Sequence, residues 1–118
     1  MWKNKPFDFH GAKFTFKVLT SETNGSYTII DVVHPPNIGP AFHMHPKGSE
    51  TFYIIEGDYK FILEGKSITG KPGDIVFVPK GSLHRYDVVY KDGHALVISP
   101  PELGFYFLSE LLDKGEVS

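Results

Sequence analysis

No cysteine occurs among the 118 residues, so the chain forms no disulfide and offers no thiolate; any metal it binds must be held by histidine, carboxylate and water. No apolar run approaches the ~20 residues that cross a bilayer, and the opening Met1-Trp2-Lys3-Asn4-Lys5-Pro6 lacks the apolar stretch of a signal peptide. The expectation is a cytoplasmic protein that does not engage membranes. The 12 lysines and arginines form no stripe that could neutralise successive phosphates, and at a net charge of −2 no nucleic-acid partner is expected. What remains is ordinary globular composition, 41% hydrophobic and 22% charged, on a 13.2 kDa chain. A chain of this size buries roughly two-thirds of its surface on folding. One domain over residues 1–118 is expected, and its six histidines carry most of the chemical interest.

The hydrophobic pattern has a period of two almost throughout. Phe14, Phe16 and Val18 alternate with Thr15 and Lys17 over Ala12 to Val18, and Tyr27 to Val33 is a second β-rich run. Between them Asn24-Gly25 is a strong hairpin signal. After the stiff Pro35 to Pro40 loop, short β-like stretches recur at Phe42 to His45, Thr51 to Glu56, Tyr59 to Leu63, Lys66 to Thr69, Ile75 to Val78, His84 to Tyr90 and Ala95 to Ser99. Turns are expected at Gly57-Asp58, Glu64-Gly65, Gly70 to Gly73, Lys80-Gly81 and Lys91 to Gly93. Many short strands at close spacing predict an all-β antiparallel sandwich or barrel, with its core over about 12–99. Only the end changes period: Leu103, Phe107, Leu108, Leu111 and Leu112 predict one C-terminal helix over about 101–114.

Residues two apart on a strand share a face, so His43 and His45 can present both imidazoles to one point inside a barrel. An isolated pair of this kind is more readily an ordinary surface or network feature of a strand than a ligand pair. Here Glu50 follows after the Pro46 to Ser49 loop and can approach from the neighbouring strand, and His84 arrives from a later one. Three imidazoles and a carboxylate would leave positions on a divalent ion open for water or substrate.

The arrangement His43-x-His45-x4-Glu50-x6-Gly57 resembles the first motif of the cupin superfamily, and Gly73-x5-Pro79-x-Gly81-x2-His84 resembles most of the second. The pattern departs twice: Asn37 stands where the first motif opens with glycine, and Val88 where the second closes with asparagine. The resemblance implies a small single-domain RmlC-like cupin, weakly quercetinase-like at its end, folded as a double-stranded β-helix or jelly roll. It implies that His43, His45, Glu50 and His84 ligate one divalent ion (Fe, Mn, Ni, Cu, Co or Zn), and that the chain pairs as a homodimer through its amino-terminal hairpin and terminal helix.

Alternation from those ligands places Phe52 and Ile54 inside with Glu50, and Tyr86 and Val88 inside with His84. Phe42, Met44 and Arg85 face outward, and His10, His34 and His94 are expected in solvent-exposed, loop-like settings. Glu50 and Tyr86 are the candidate catalytic groups, with Tyr59 a weaker candidate. The expected partner is a small molecule. The leading function is a metal-dependent dioxygenase on a small aromatic or enolic substrate; the alternatives are a non-catalytic binding or sensing module, then a sugar isomerase or epimerase.

Overall fold

The computed structural model describes residues 3–37, 39, 42–44 and 48–100. The expected helix over 101–114, His45 and Trp2 lie outside these. Seven strands make one antiparallel sheet: β1 Phe7–Phe9, β2 Ala12–Val18, β3 Thr28–His34, β4 Glu50–Leu63, β5 Lys66–Gly70, β6 Ile75–Val78 and β7 His84–Ser99. The sheet runs β1-β2-β3-β7-β4-β5, with β6 paired to the first part of β4. The hairpin expected around Asn24-Gly25 joins β2 to β3, with Asn24 in the left-handed conformation after a 3-10 turn over Thr20–Thr23. Among the described residues no helix is long and apolar enough to cross a membrane.

Two expected turns are absent, and the reason is geometric. Gly57-Asp58 and Lys91 to Gly93 do not separate pairs of strands; they lie inside β4 and β7, which are single strands of 14 and 16 residues. At ~3.3 Å per residue these would span about 46 and 53 Å if straight, yet the longest dimension of the molecule is 36 Å. Both therefore bend, and they bend together. The β4–β7 register slips between Ile54 and Asp58, opposite the stretch from Val89 to His94. Gly57 takes φ +89°, and a Cβ there would sit 2.8 Å from both Asp92 O and Gly93 Cα. A Cβ on Gly93 would lie 2.8 Å from the Tyr59 ring. Two glycines in close contact let the paired strands fold over on themselves, which closes the sheet into a jelly roll.

The bulge also changes which residues face inward. Before it Glu50, Phe52 and Ile54 are buried; after it Tyr59 and Phe61 are. On β7 the inward set passes from His84, Tyr86 and Val88 to Ala95, Val97 and Ser99. With Phe14 and Phe16 from β2, Ile30 and Val32 from β3 and Val76 and Val78 from β6, these side chains fill the barrel. Each fully buried Phe, Ile or Val contributes about 1.5–3 kcal/mol.

The amino-terminal aromatics are used within the chain. Phe9 is buried in edge-to-face contact with Phe14 at 5.2 Å between centroids, and Phe7 packs on Phe14 and Phe16. Of the large apolar side chains left exposed among the described residues, Tyr53, Ile55, Ile75 and Phe77 share the outer face of β4 and β6, and the others, Tyr27, Phe42, Met44, Leu83 and Tyr90, lie elsewhere.

The bend sets a test. Gly57→Ala should destabilise by about 2–4 kcal/mol, from positive-φ strain plus backbone overlap. Gly65→Ala, at φ +79° with nothing within 4 Å of its Cβ, should cost about 1 kcal/mol. Urea unfolding of the two variants compares them directly, and equal losses would remove the bend from its structural role.

Candidate metal centre

His43 stands on the short stretch before β4 and reaches the start of β7 through two backbone hydrogen bonds, each residue's N–H donating to the other's C=O at 2.9 Å. Among the described residues that bridge is all that forms of the strand expected over Phe42 to His45. It brings the rings of His43 and His84 together at 4.2 Å between centroids, tilted by 55°. Glu50 opens β4, where its backbone pairs with Val78 of β6, and its Oε1 reaches His84 Nε2 at 3.3 Å. One donor atom from each of His43, Glu50 and His84 lies within 4.8 Å of the other two, close to the span of donors ~2.0–2.3 Å from a shared ion. His43 is half-buried; Glu50 and His84 are buried. Phe42 and Met44 point outward, as strand alternation requires, and the guanidinium of Arg85 lies over the Phe42 ring at 5.7 Å.

The tautomer of His84 is set by its neighbours. Its Nδ1 faces the Ser82 carbonyl at 3.0 Å, and a carbonyl only accepts, so Nδ1 carries the proton. In the neutral ring Nε2 is then a lone pair, and it faces Glu50 Oε1 at 3.3 Å. A lone pair against a buried carboxylate is repulsive unless a positive charge joins them. A proton is one such charge: burial disfavours the imidazolium, but the hydrogen bonds it donates to Glu50 and the Ser82 carbonyl, with the charge of Glu50, outweigh that and hold His84 above its ordinary pKa. A divalent cation is the other, and a backbone carbonyl bonded to the remote ring nitrogen is a common way of orienting a metal-binding histidine. The donor set therefore fits a metal ion.

The expectation for His34 was wrong. It is 2% exposed and faces the barrel interior, where Nδ1 meets the Tyr59 hydroxyl at 2.8 Å and Nε2 meets the Tyr86 hydroxyl at 3.1 Å. Burial lowers its pKa to about 4, so at neutral pH the ring is uncharged. The signal was in the sequence: Thr28, Ile30, Val32 and His34 alternate on one face, but ending the strand at Val33 assigned His34 to the proline loop. His94 is half-buried and its Nε2 pairs with Asp31 at 2.7 Å; His10 is exposed.

Tyr86 and Tyr59 are both buried, in a cluster with Phe52 and Phe61 whose ring centroids lie 5.1–6.2 Å apart. Desolvation raises the pKa of both phenols, and the charge of Glu50 raises that of Tyr86 further. The two departures from the cupin motifs meet here. Asn37 adopts φ 63°, the left-handed conformation that glycine would take, and its N–H donates to the carbonyl of Val88 at 2.9 Å.

The depressed pKa of His34 makes stability depend on pH in a definite direction. The unfolded ring takes up a proton near pH 6.5, whereas the folded ring does so only near 4. Acid therefore favours the unfolded chain, and about 3 kcal/mol of stability should be lost as pH falls from 6.5 to 4. Denaturant titrations of wild type and His34→Gln across that range should show the wild type losing more by about this amount; parallel curves would contradict a buried neutral ring.

Comparison with known proteins agrees with this geometry. The cupin domain family profile matches residues 31–99, a stretch running from β3 to the end of β7. Quercetin 2,3-dioxygenase of Bacillus subtilis (strain 168) is 31% identical over 64 residues, covering 54% of this chain and 19% of that protein. An uncharacterized protein of Aquifex aeolicus (strain VF5) is 32% identical over 80 residues, covering 58% and 66%. The chain thus spans about a fifth of the first relative and just under two-thirds of the second. Among solved structures KdgF from Halomonas sp. superposes with a TM-score of 0.73 at 18% identity, covering 82% of this chain and 86% of that one. A predicted oxalate decarboxylase from Thermotoga maritima gives 0.69 at 20%, covering 83% and 91%. The motif spacing, the jelly-roll topology and the match over residues 31–99 together make this chain a member of the cupin family.

Proposed function

We propose that the chain is a metal-dependent oxygenase acting on a small aromatic or enolic substrate, with His43, His45, Glu50 and His84 holding one divalent ion. The observation that carries this reading is the convergence of donor atoms from His43, Glu50 and His84, with Nε2 of His84 facing the Glu50 carboxylate where a proton or a metal ion must join them, beside an interior lined by aromatic rings. The likeness to a quercetin 2,3-dioxygenase over 64 residues supports the same choice. The bound ion would supply Lewis-acid and, for a redox-active metal, electron-transfer chemistry next to the substrate's oxygen. The chain's own groups do the rest. The Ser82 carbonyl keeps the His84 ring in one orientation, Glu50 is placed to take up a proton from an acidic enol or phenol, and Phe52 and Phe61 exclude water from the ring of the substrate.

A non-catalytic binding module is the second reading. It is favoured by the lack, among the described residues facing the interior, of an acid or base near neutrality other than the metal-site residues.

The homodimer is proposed on a different face from the one the sequence suggested, since Phe7 and Phe9 are packed within the chain. Tyr53 pairs in register with Ile75 and Thr51 with Phe77, so the outer face of β4 and β6 carries adjacent apolar rows, with Phe77 55% and Ile75 67% exposed. The side chains of these rows carry no charge, so a second copy of the same face is the complementary surface, as two-fold pairing requires.

Two measurements test these readings. Metal content per chain should fall sharply in His45→Ala and His84→Ala but stay near the wild-type value in His94→Ala, whose ring is engaged by Asp31. The metal-loaded wild type should consume oxygen with at least one member of a panel of enols, catechols and flavonols; binding without uptake would select the module instead. Light scattering should give about twice 13.2 kDa for the wild type and a lower mass for Phe77→Lys. A wild-type mass near 13.2 kDa would rule the dimer out.

A further inference from the structure

The network of His34, Tyr59 and Tyr86 contains one more proton than it uses. A neutral imidazole carries one N–H and one bare nitrogen, and each phenol carries one O–H. Three protons are therefore present, but the group makes two hydrogen bonds, one at each ring nitrogen. Among the described residues neither hydroxyl makes a third. If Nδ1 holds the ring proton, Tyr86 must donate to Nε2 and the Tyr59 O–H is left over. If Nε2 holds it, Tyr59 donates to Nδ1 and the Tyr86 O–H is left over.

Two observations choose between them. Hydroxyl donors make shorter hydrogen bonds than ring N–H donors, and the contact at Tyr59 is 2.8 Å against 3.1 Å at Tyr86. Tyr59 is thus the donor to Nδ1, and Nε2–H donates to the Tyr86 oxygen. The surroundings agree. Tyr86 follows His84 by two residues on the inward face of β7, so an unspent O–H there lies on the face that carries the donor cluster. A buried O–H with no acceptor is costly, and an anionic oxygen is its best partner.

We propose that His34, as its Nε2–H tautomer, positions the Tyr86 O–H to donate a hydrogen bond to an anionic oxygen of a ligand held at the metal centre. The ligand class is an enolate, a catecholate or a related oxyanion on a small planar framework, since Phe52 and Phe61 flank Tyr86 with centroids at 5.1 and 5.4 Å. Tyr86 is the group that touches the ligand; His34 is a positioning residue, and Tyr59 fixes its tautomer. The inference rests on the metal-site reading above, but the tautomer does not need the metal.

Nitrogen-15 NMR of the uniformly labelled, metal-free protein should show His34 Nε2 protonated and Nδ1 bare; the reverse overturns the proposal. The metal-loaded wild type, Tyr86→Phe and Tyr59→Phe are then titrated with 4-nitrocatechol, followed by its absorption, and with imidazole, which binds a metal through nitrogen and offers no oxygen. Tyr86→Phe should weaken 4-nitrocatechol roughly tenfold or more. Tyr59→Phe should weaken it several-fold, and imidazole should change less than about twofold in either variant. Equal loss of both ligands would mark a merely structural role, and unchanged 4-nitrocatechol affinity in Tyr86→Phe at full metal content would also overturn the proposal. A wild type that holds no metal defeats the underlying reading instead, visible in metal content before any ligand is added, and the nitrogen spectrum still decides the tautomer.

Discussion

The pairing of β4 with β7 along their whole length, bent at one shared place, is the constraint on which the rest of the structure depends. Neither strand fits the molecule straight, and a ladder between two bent strands survives only if both bend at matching positions. Gly57 and Gly93 supply that match, each leaving room that the other strand's backbone or the Tyr59 ring fills. From the bend follow both halves of the barrel: β3 and β6 flank the half holding the end of β7 and the start of β4, and β5 flanks the other.

The same bend sorts the chemistry. Because the bulge moves the inward set from even to odd positions on β4, Glu50 and Tyr59 both face inside although nine residues separate them. His84 and Tyr86 lie on the straight stretch of β7 before its bend and need no such shift. The donor cluster therefore assembles where β4 and β7 begin, while the two phenols meet His34 deeper in the barrel. A one-residue change in the bulge would turn Tyr59 outward and leave His34 with a bare, buried nitrogen, so the fold and the polar network are specified by one feature.

Much of this was legible in the sequence. Period-two alternation placed Phe52, Ile54, Tyr86 and Val88 inside and Phe42 and Met44 outside, because face assignment needs only a strand and one anchored residue. The grouping of His43, Glu50 and His84 came instead from the resemblance of their spacing to the cupin motifs, since they stand on three separate stretches of chain. What local pattern does not carry is continuity across glycine. Gly57 and Gly93 have the same local appearance in a turn as in a bulge, and only the pairing of β4 with β7, distant in sequence, makes them bends. His34 was hidden by proline: Pro35 and Pro36 stop the ladder, and the last strand residue before them looks like the first loop residue unless the inward parity of Ile30 and Val32 is carried forward.

The distribution of ionisable groups bears on which cupin chemistry suits this interior. Proton shuttling at neutral pH needs groups whose pKa lies near 7. Burial takes His34 down to about 4, and desolvation takes Tyr59 and Tyr86 up, so these three hold their protons in place and act as fixed donors and acceptors. Among the described residues inside the barrel, that leaves the cluster of His43, Glu50 and His84 as the place for proton transfer. Isomerisation or epimerisation of a sugar, which removes a proton from one position and returns one elsewhere, finds a single proton-handling locus here. A reaction that takes one proton from an acidic enol or phenol, as the proposed function requires, needs no second such locus.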